Sequence, residues 1–229
     1  FIGRDTEIVS DINKVDILIK NGLVYDGTIS EPYISDIAIS RNKIQFIDNP
    51  NIKDVKTIID AKGLSVCPGF IDTHAHSDFT IIADPRAEGK LFQGITTEIN
   101  GNCGMSAAPL YNKTFERREI DLKEYNIKKR WNNFKEYFDI VAKNGTAINF
   151  ATLVGHGNIR GSVIGYEDKT PSKKECSKMC SLLTEATEQG AIGFSTGLIY
   201  PPGIFSTTEE LIALLKLLKV RGLIYTSHM

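Results

Sequence analysis

Every histidine of this sequence stands at or just past the end of a short apolar, strand-like stretch. The four are His74, His76, His156 and His228. In a parallel β/α fold, the residues that bind ligands lie at the carboxyl ends of the strands. Histidines placed by chance would also fall on helices and in other loops. Because imidazole is a common zinc ligand, this placement predicts a metal site assembled from several strand ends.

His74 and His76 are separated by a single residue, so in an extended segment both imidazoles point to the same side. On its own this spacing fits two surface histidines as well as it fits a metal pair. The apolar residues 69–71 in front of the pair favour metal binding. Asp72 is expected either to accept a hydrogen bond from a ligand imidazole or to shape the turn at the strand end.

Cys103 follows the next predicted strand and lies close to Gly101 and Gly104, which allow unusual backbone geometry and close approach of a ligand. A thiolate suits Zn²⁺, whereas a buried thiol at a tight turn explains the spacing equally well. The presence of histidines at the other strand ends favours the interpretation of Cys103 as a zinc ligand. Glu98 is expected to be paired rather than ligating. His156 is expected to line the cleft and to hold a loop by hydrogen bonds.

Strands and helices alternate in the second part of the chain, which is typical of a parallel sheet covered by helices. Strands are predicted near residues 69–73, 94–99, 146–154, 191–196 and 222–226. Helices are predicted from an N-cap at Thr170 to Gly190, from a capping-box start at Thr207 to Gly222, and over residues 131–143. The charged segment at about residues 110–130 is longer than a usual connection and is interpreted as an insertion.

The first part of the chain, to residue 67, consists of short strand-like stretches joined by turn residues. Residues 1–13 show no apolar periodicity and are expected to be a peripheral lead-in. A turn is expected at Asn21-Gly22, between strands at residues 16–20 and 23–25, and a hairpin around Arg41-Asn42. These strands predict a small antiparallel unit that contributes to a β-sandwich. The expected domains are therefore residues 1–67 and residues 68–229.

The overall composition is ordinary for a globular protein: 229 residues, 41% hydrophobic, with a net charge of -1. This balance gives no basis for binding nucleic acid or an anionic membrane surface. No apolar run approaches the roughly 20 residues that span a bilayer. The four cysteines lack the spacing of a disulfide scaffold, so a reducing, cytoplasmic setting is expected. Cys67, Cys176 and Cys180 are interpreted as buried, small hydrophobic residues.

Five segments together resemble the D-aminoacylase (N-acyl-D-amino-acid deacylase) group of the amidohydrolase superfamily. They are PGFIDTHAH at 68–76, GNCG at 101–104, GHG at 155–157, GFSTGLIYPPG at 193–203 and TSHM at 226–229. The first is similar to the first-strand signature of the superfamily. The resemblance covers the chain from about residue 16 to its end. The order of the segments is specific for the group, although not for one substrate.

The resemblance implies an α/β protein, a (β/α)₈ barrel of the TIM type with an N-terminal β-sandwich subdomain. It also implies zinc-dependent hydrolysis of the amide bond of N-acyl-D-amino acids, which releases a carboxylate and a D-amino acid. His74 and His76 match the first-strand metal pair, His228 matches the fifth-strand ligand, and Cys103 replaces a modified lysine. Tyr200 matches a tyrosine that polarises the scissile carbonyl. One tight zinc is expected at Cys103 and His228, and a second, weaker position at His74 and His76.

The group has two further functional residues, a histidine after the sixth strand and an aspartate after the eighth that acts as the general base. Neither has a counterpart in the 229 residues. The sequence is therefore expected to be truncated after the fifth strand, and this piece alone to be inactive. One alternative is a cyclic amidase of the dihydroorotase or hydantoinase type. Such enzymes usually carry a lysine after the fourth strand, where this sequence has FSTG at 194–197. A metal-free barrel scaffold is the second alternative, and zinc content separates it from both enzymes.

Overall fold

The computed structural model of the chain describes residues 14–47, 52 and 54–229. The chain divides into two compact units, Phe1–Pro68 and Gly69–Met229. The lead-in predicted for residues 1–13 lies outside the described residues. Among the helices of the described part, none is long and apolar enough to cross a membrane.

The first unit is a five-stranded mixed sheet. Its strands are β1 (Val15–Val24), β2 (Tyr33–Ser40), β3 (Lys43–Ile47), β4 (Val55–Asp60) and β5 (Ser65–Val66). The hydrogen-bonded order is β3-β2-β1-β4, and β5 also pairs with β1. The hairpin predicted at Arg41-Asn42 is confirmed, with both residues in the left-handed region. The expectation of an antiparallel unit is wrong, because β4 and β5 pair with β1 in the parallel direction.

The turn predicted at Asn21-Gly22 is instead an irregularity inside one ten-residue strand. The register between β1 and β2 shifts between Ile19 and Gly22. Asn21 has a φ of 60°, and its backbone N–H donates to Asp36 Oδ1 at 2.9 Å. Because the strand stays paired on both sides of this point, the Asn-Gly pair kinks the strand as a β-bulge does and does not end it.

The second unit contains parallel strands in the order in which they occur along the chain. They are β6 (Phe70–Asp72), β7 (Ile95–Asn100), β8 (Asn149–Thr152), β9 (Val154–Gly155), β10 (Gly193–Gly197) and β11 (Ile224–His228). The sheets are β6-β7-β8 and β9-β10-β11, and every pairing in them is parallel. Only Leu153 separates β8 from β9, so together they are the predicted third strand. The five predicted strands are confirmed.

Helices follow the strands of the second unit. They are α1 (Thr80–Ala83), α2 (Glu88–Leu91), α3 (Asn112–Glu124), α4 (Phe134–Asn144), α5 (His156–Val163), α6 (Lys173–Glu188) and α7 (Thr208–Arg221), with a 3-10 helix at Gly203–Phe205. Helix α7 is capped by Thr207 and ends at Gly222 as predicted. Helix α4 begins later than predicted because the Asn133 side chain accepts the N–H of Glu136 and caps it. The predicted insertion contains α3.

The core of the second unit is centred on aromatic residues. Trp131 is 1% exposed, and its Nε1–H donates to the carbonyl of Ala107 at 2.8 Å. Its ring lies 5.8 Å from that of Phe79 and 5.4 Å from that of Tyr137. Burial of such rings is a major favourable term in folding, so this cluster holds helix α4 against the segments around Phe79 and Ala107.

Helix α6 is capped by Ser172 and not, as predicted, by Thr170. Ser172 Oγ accepts the backbone N–H of Glu175 at 3.3 Å, and the Glu175 carboxylate accepts that of Ser172 at 2.8 Å. This reciprocal pair satisfies two backbone donors, whereas a cap at Thr170 would have no glutamate three residues later. The helix consequently starts at Lys173.

Replacing Ser172 by alanine is expected to lower the free energy of unfolding by about 1 kcal/mol, because the first turn of α6 loses its cap. Urea unfolding followed by circular dichroism measures the change. Ser181→Ala is the matched control on the same helix, where the hydroxyl donates only to the carbonyl of Ser177. The control should stay within about 0.5 kcal/mol of the parent. Equal losses in the two variants would contradict the role of the cap.

The cap also makes a pH-dependent contribution. Lys169 and Ser172 hydrogen-bond the Glu175 carboxylate and lower its pKa from 4.5 to about 2. Since the folded-state pKa lies below the unfolded one, the stabilisation is fully present above pH 4.5 and is lost as the pH falls towards 2. The stability difference between the parent and Glu175→Gln is therefore expected to shrink from pH 6 to pH 2. A difference that is constant over this range would contradict the lowered pKa.

Candidate metal centre

Three loops or strand ends bring a sulfur and imidazole nitrogens together. His74 and His76 lie in the loop after β6, Cys103 lies in the loop after β7, and His228 is the last residue of β11. The Cys103 sulfur is 3.2 Å from His74 Nε2 and 3.3 Å from His228 Nδ1. His74, His76 and Cys103 each offer one ligand atom within 4.8 Å of the others. The structure thus brings the four predicted ligands to one edge of the strands.

The spacing of these atoms fits a small tetrahedral ion. With Zn–S near 2.3 Å and Zn–N near 2.0–2.1 Å, tetrahedral angles separate sulfur from nitrogen by roughly 3.6 Å. The two sulfur–nitrogen distances in the chain are slightly shorter than this. Thiolate and imidazole are also the donors that zinc prefers. The residues present therefore fit zinc in both chemistry and spacing.

Cys103 is aimed by an unusual backbone segment. It has a φ of 55°, and Gly101 and Gly104 also lie in the left-handed region at 72° and 75°. A Cβ on Gly101 would stand 2.1 Å from the carbonyl oxygen of Leu153, and one on Gly104 would stand 2.7 Å from the Gly197 nitrogen. Larger residues would clash there, so the two glycines let the cysteine loop lie flat against neighbouring strands.

Two uncharged side chains hold in place the loops that carry Cys103 and the histidine pair. The sequence did not single out either of them. The Asn102 amide donates to the carbonyls of Ile99 at 2.9 Å and Ala75 at 3.3 Å, which joins the cysteine loop to the histidine loop. Ser195 on β10 accepts the N–H of Gly104 at 3.0 Å. A buried asparagine at a glycine-rich strand end is a signal for such a role, because it must find several hydrogen-bond partners.

Tyr200 lies beside the ligands in the loop that follows β10. Its ring centroid is 5.4 Å from that of His228, and a cavity of about 70 Å³ is bordered by both Cys103 and Tyr200. Burial and the nearby Cys103 sulfur raise the pKa of Tyr200. Burial and the neighbouring His74 and His228 lower the pKa of His76. A neutral phenol is a hydrogen-bond donor, and a neutral imidazole is the form that binds metals.

Other predicted candidates lie outside the ligand group. Asp72 accepts the backbone N–H of His74 at 3.1 Å and pairs with Lys90, so it shapes the turn. Glu98 is paired as predicted, accepting from Ser77 Oγ at 3.0 Å. The prediction that His156 lines the cleft is wrong, because its side chain is fully buried and bonded to Glu210 of α7.

The remaining cysteines differ from their predicted burial. Cys67 is exposed and not buried as expected, because the two-residue strand β5 ends just before it. Cys176 and Cys180 are only half-buried, since helix α6 turns one side to the surface. None of the three is in the ligand group formed by the described residues.

Comparison with known proteins gives a consistent set of relatives. The sequence profile described as "Amidohydrolase family" matches residues 57–218. The D-aminoacylase of Alcaligenes xylosoxydans xylosoxydans is 34% identical over 220 residues, which are 96% of this chain and 45% of that protein. The chain therefore spans less than half the length of this relative.

Two solved structures extend the similarity to the fold. The first is an N-acyl-D-glutamate deacylase from Bordetella bronchiseptica, complexed with zinc and a phosphonate inhibitor that mimics the tetrahedral intermediate. It has a TM-score of 0.85 and 32% identity, over 94% of this chain and 45% of that one. The second is a D-aminoacylase with a binuclear metal centre. It has a TM-score of 0.84, 32% identity and the same coverage.

Proposed function

The chain belongs to the amidohydrolase family, and on this premise we propose that it carries the zinc site of an enzyme that hydrolyses N-acyl-D-amino acids. The amide bond is cleaved to a carboxylate and a D-amino acid. The observation that carries the proposal is the Cys103 sulfur, which lies 3.2 Å from His74 Nε2 and 3.3 Å from His228 Nδ1. The names of the solved relatives, an N-acyl-D-glutamate deacylase and a D-aminoacylase, support this reaction class.

We assign the tight zinc to Cys103 and His228, and a second, weaker position to His74 and His76. The near-equal distances from the Cys103 sulfur to His74 Nε2 and to His228 Nδ1 support a cysteine shared by the two positions. When bound, zinc would supply Lewis acidity, since it lowers the pKa of a water ligand to about 7 and polarises a carbonyl oxygen.

Tyr200 is assigned the second electrophilic role, donating a hydrogen bond to the amide oxygen as negative charge develops on it. Its position beside His228 and at the wall of the small cavity supports this role.

The carboxyl groups nearest in sequence to the histidine pair, Asp72 and Asp78, make other interactions. Asp72 pairs with Lys90, and Asp78 accepts the backbone N–H of Ala107 at 3.1 Å. We therefore assign neither of them as the proton acceptor.

The proposal extends to the architecture of the full-length protein. The five consecutive parallel strands are the first five of a (β/α)₈ barrel, and the N-terminal sheet is one layer of a β-sandwich. Similarity to solved amidohydrolases over 94% of this chain but 45% of theirs supports this arrangement. The four free cysteines of the structure fit a cytoplasmic location.

The proposal is tested by removing the metal, restoring zinc and comparing the hydrolysis of different substrates. We expect the full-length protein, stripped by a chelator, to regain hydrolysis of an N-acetyl-D-amino acid with zinc, and to prefer it over the L enantiomer. Dihydroorotate and hydantoin serve as comparison substrates. Preferential opening of either ring would indicate a cyclic amidase, and a protein that binds no zinc would indicate a scaffold. Either result would overturn the proposal.

A further inference from the structure

A buried charged network lies in the second unit, outside the ligand group. Arg160 of α5 and Glu210 of α7 are joined through Nη1 and Oε2 at 2.6 Å, and their side chains are fully buried. His156, also fully buried, meets the other carboxylate oxygen through Nε2 at 2.8 Å. The opposite nitrogen, Nδ1, has no partner, so the tautomer that fits carries its proton on Nε2 and donates to Glu210. Charged groups are seldom buried this completely without a specific arrangement to maintain.

The remaining donors of Arg160 bind three backbone carbonyls, two of which lie in the loop between β10 and α7. Nε donates to the carbonyl of Pro202 at 3.0 Å. Nη2 donates to the carbonyls of Phe205 at 3.2 Å and Lys169 at 2.6 Å. A planar guanidinium can make these bonds at once because its donors point in fixed directions. One side chain thus fixes two points of the loop, three residues apart, to helix α5 and, through Glu210, to helix α7.

The other side of the same loop rests on glycines. A Cβ on Gly157 would stand 3.4 Å from Pro202 Cδ, and one on Gly203 would stand 2.4 Å from the carbonyl oxygen of Gly197. A Cβ on Gly197 would in turn stand 2.2 Å from the carbonyl oxygen of Cys103 and 2.5 Å from Tyr200 Cε2. The loop is therefore packed against the cysteine loop on one side and tied to Arg160 on the other.

We infer that Arg160, oriented by Glu210 and His156, is a positioning residue that holds the phenol of Tyr200 in place. Tyr200 precedes the bonded Pro202 by two residues, and its carbonyl accepts the N–H of Ile204 within the same loop. The inference rests on the proposed function, since it needs Tyr200 to assist the reaction. It predicts that Arg160 affects turnover only through Tyr200, and leaves metal binding unchanged.

A double-mutant cycle with Tyr200 tests this inference in the zinc-loaded full-length protein. Arg160→Lys keeps the positive charge but loses the planar guanidinium with its donors in fixed directions. We expect kcat to fall by roughly ten- to hundred-fold, with KM changed by less than about two-fold. In a Tyr200→Phe background the same substitution should lower kcat by less than about two-fold. Glu210→Gln, which has the same shape as the parent residue, should repeat this non-additive pattern and replaces Arg160→Lys if the latter does not fold.

Hydrogen exchange of the same zinc-loaded full-length protein gives a readout that does not depend on activity. The amides of Ile204 and Phe205 bond within the loop, so Arg160→Lys should accelerate their exchange selectively, with helix α6 unchanged. Arg221→Lys is the matched control, because Arg221 pairs with Glu188 at the surface and should leave kcat and exchange as in the parent. Zinc content should stay at the parental value in every variant.

The outcomes distinguish the inference from the function on which it rests. Equal losses of kcat with and without the Tyr200 hydroxyl would overturn the inference alone, as would faster exchange spread evenly over the unit. A Tyr200→Phe protein with the parental kcat would overturn both the role of Tyr200 and the inference. A non-additive cycle together with selective exchange of the loop supports the inference.

Discussion

Tight zinc binding is expected to be lost when Cys103 is replaced by alanine. The sulfur is the atom that both His74 and His228 approach, at 3.2 and 3.3 Å, so its removal takes away the thiolate donor shared by both proposed positions. The loss of affinity should exceed the roughly 100-fold that removal of an outer-shell partner costs. Zinc analysis of the purified protein, followed by competition with a chromophoric chelator, measures it.

Cys176→Ala is the matched control for this experiment. Cys176 is a half-buried free thiol on helix α6, and alanine is a good helix former, so this variant should keep its zinc. Circular dichroism of the two metal-free proteins shows whether the fold is equally retained. One tightly bound zinc per chain in Cys103→Ala would rule out the assignment of the cysteine as a ligand.

Loss of the Tyr200 hydroxyl is expected to lower kcat of the full-length protein by roughly 10²- to 10³-fold. Tyr200→Phe retains the ring that packs 5.4 Å from the ring of His228, so zinc content should not change. Because the hydrogen bond strengthens as charge develops on the amide oxygen, the effect should fall on kcat more than on KM. Steady-state kinetics on an N-acetyl-D-amino acid provide the measurement.

The exposed Tyr25 of the first unit offers a matched substitution of the same type. Tyr25→Phe should leave kcat and KM at their parental values. If Tyr200→Phe raised KM and left kcat unchanged, the hydroxyl would contribute to substrate binding and not to the reaction.

The meeting of the four candidate ligands was predictable because it depends on a property of parallel sheets. The strands of the second unit were visible as apolar stretches, and their carboxyl ends must meet at one edge. His74, Cys103 and His228 are far apart in sequence and come together for this reason. The prediction for Tyr200 depended on the resemblance to a family, since nothing in its spacing alone indicates a site.

The supporting residues could not be predicted because their roles depend on contacts between distant loops. Asn102 and Ser195 carry no charge and lie in segments that also fit simple turns. Arg160 occurs in an otherwise uncharged stretch of helix, which is consistent with an ordinary surface position. Its partners, Glu210 and three backbone carbonyls, lie up to 50 residues away in sequence.

Local competition explains the misplaced boundaries. Thr170 with Pro171 is a good helix start, but Ser172 gains a reciprocal bond with Glu175 that Thr170 cannot make. Asn21-Gly22 has the composition of a hairpin turn, yet the ladder to β2 continues on both sides of it. In both places hydrogen bonds made outside the dipeptide determine where the helix or strand begins or ends. The conformational propensity of the dipeptide alone does not describe such bonds.

The distance along the chain between the candidate ligands affects how the protein is made. Cys103 and His228 are 125 residues apart, so at a synthesis rate of 5–20 residues per second the cysteine emerges from the ribosome roughly 6 to 25 s before its partner. During this interval Cys103 has only His74 and His76 as candidate partners, because His228 has not yet been made. The proposed tight position at Cys103 and His228 can therefore form only after the strands from β7 to β11 have assembled.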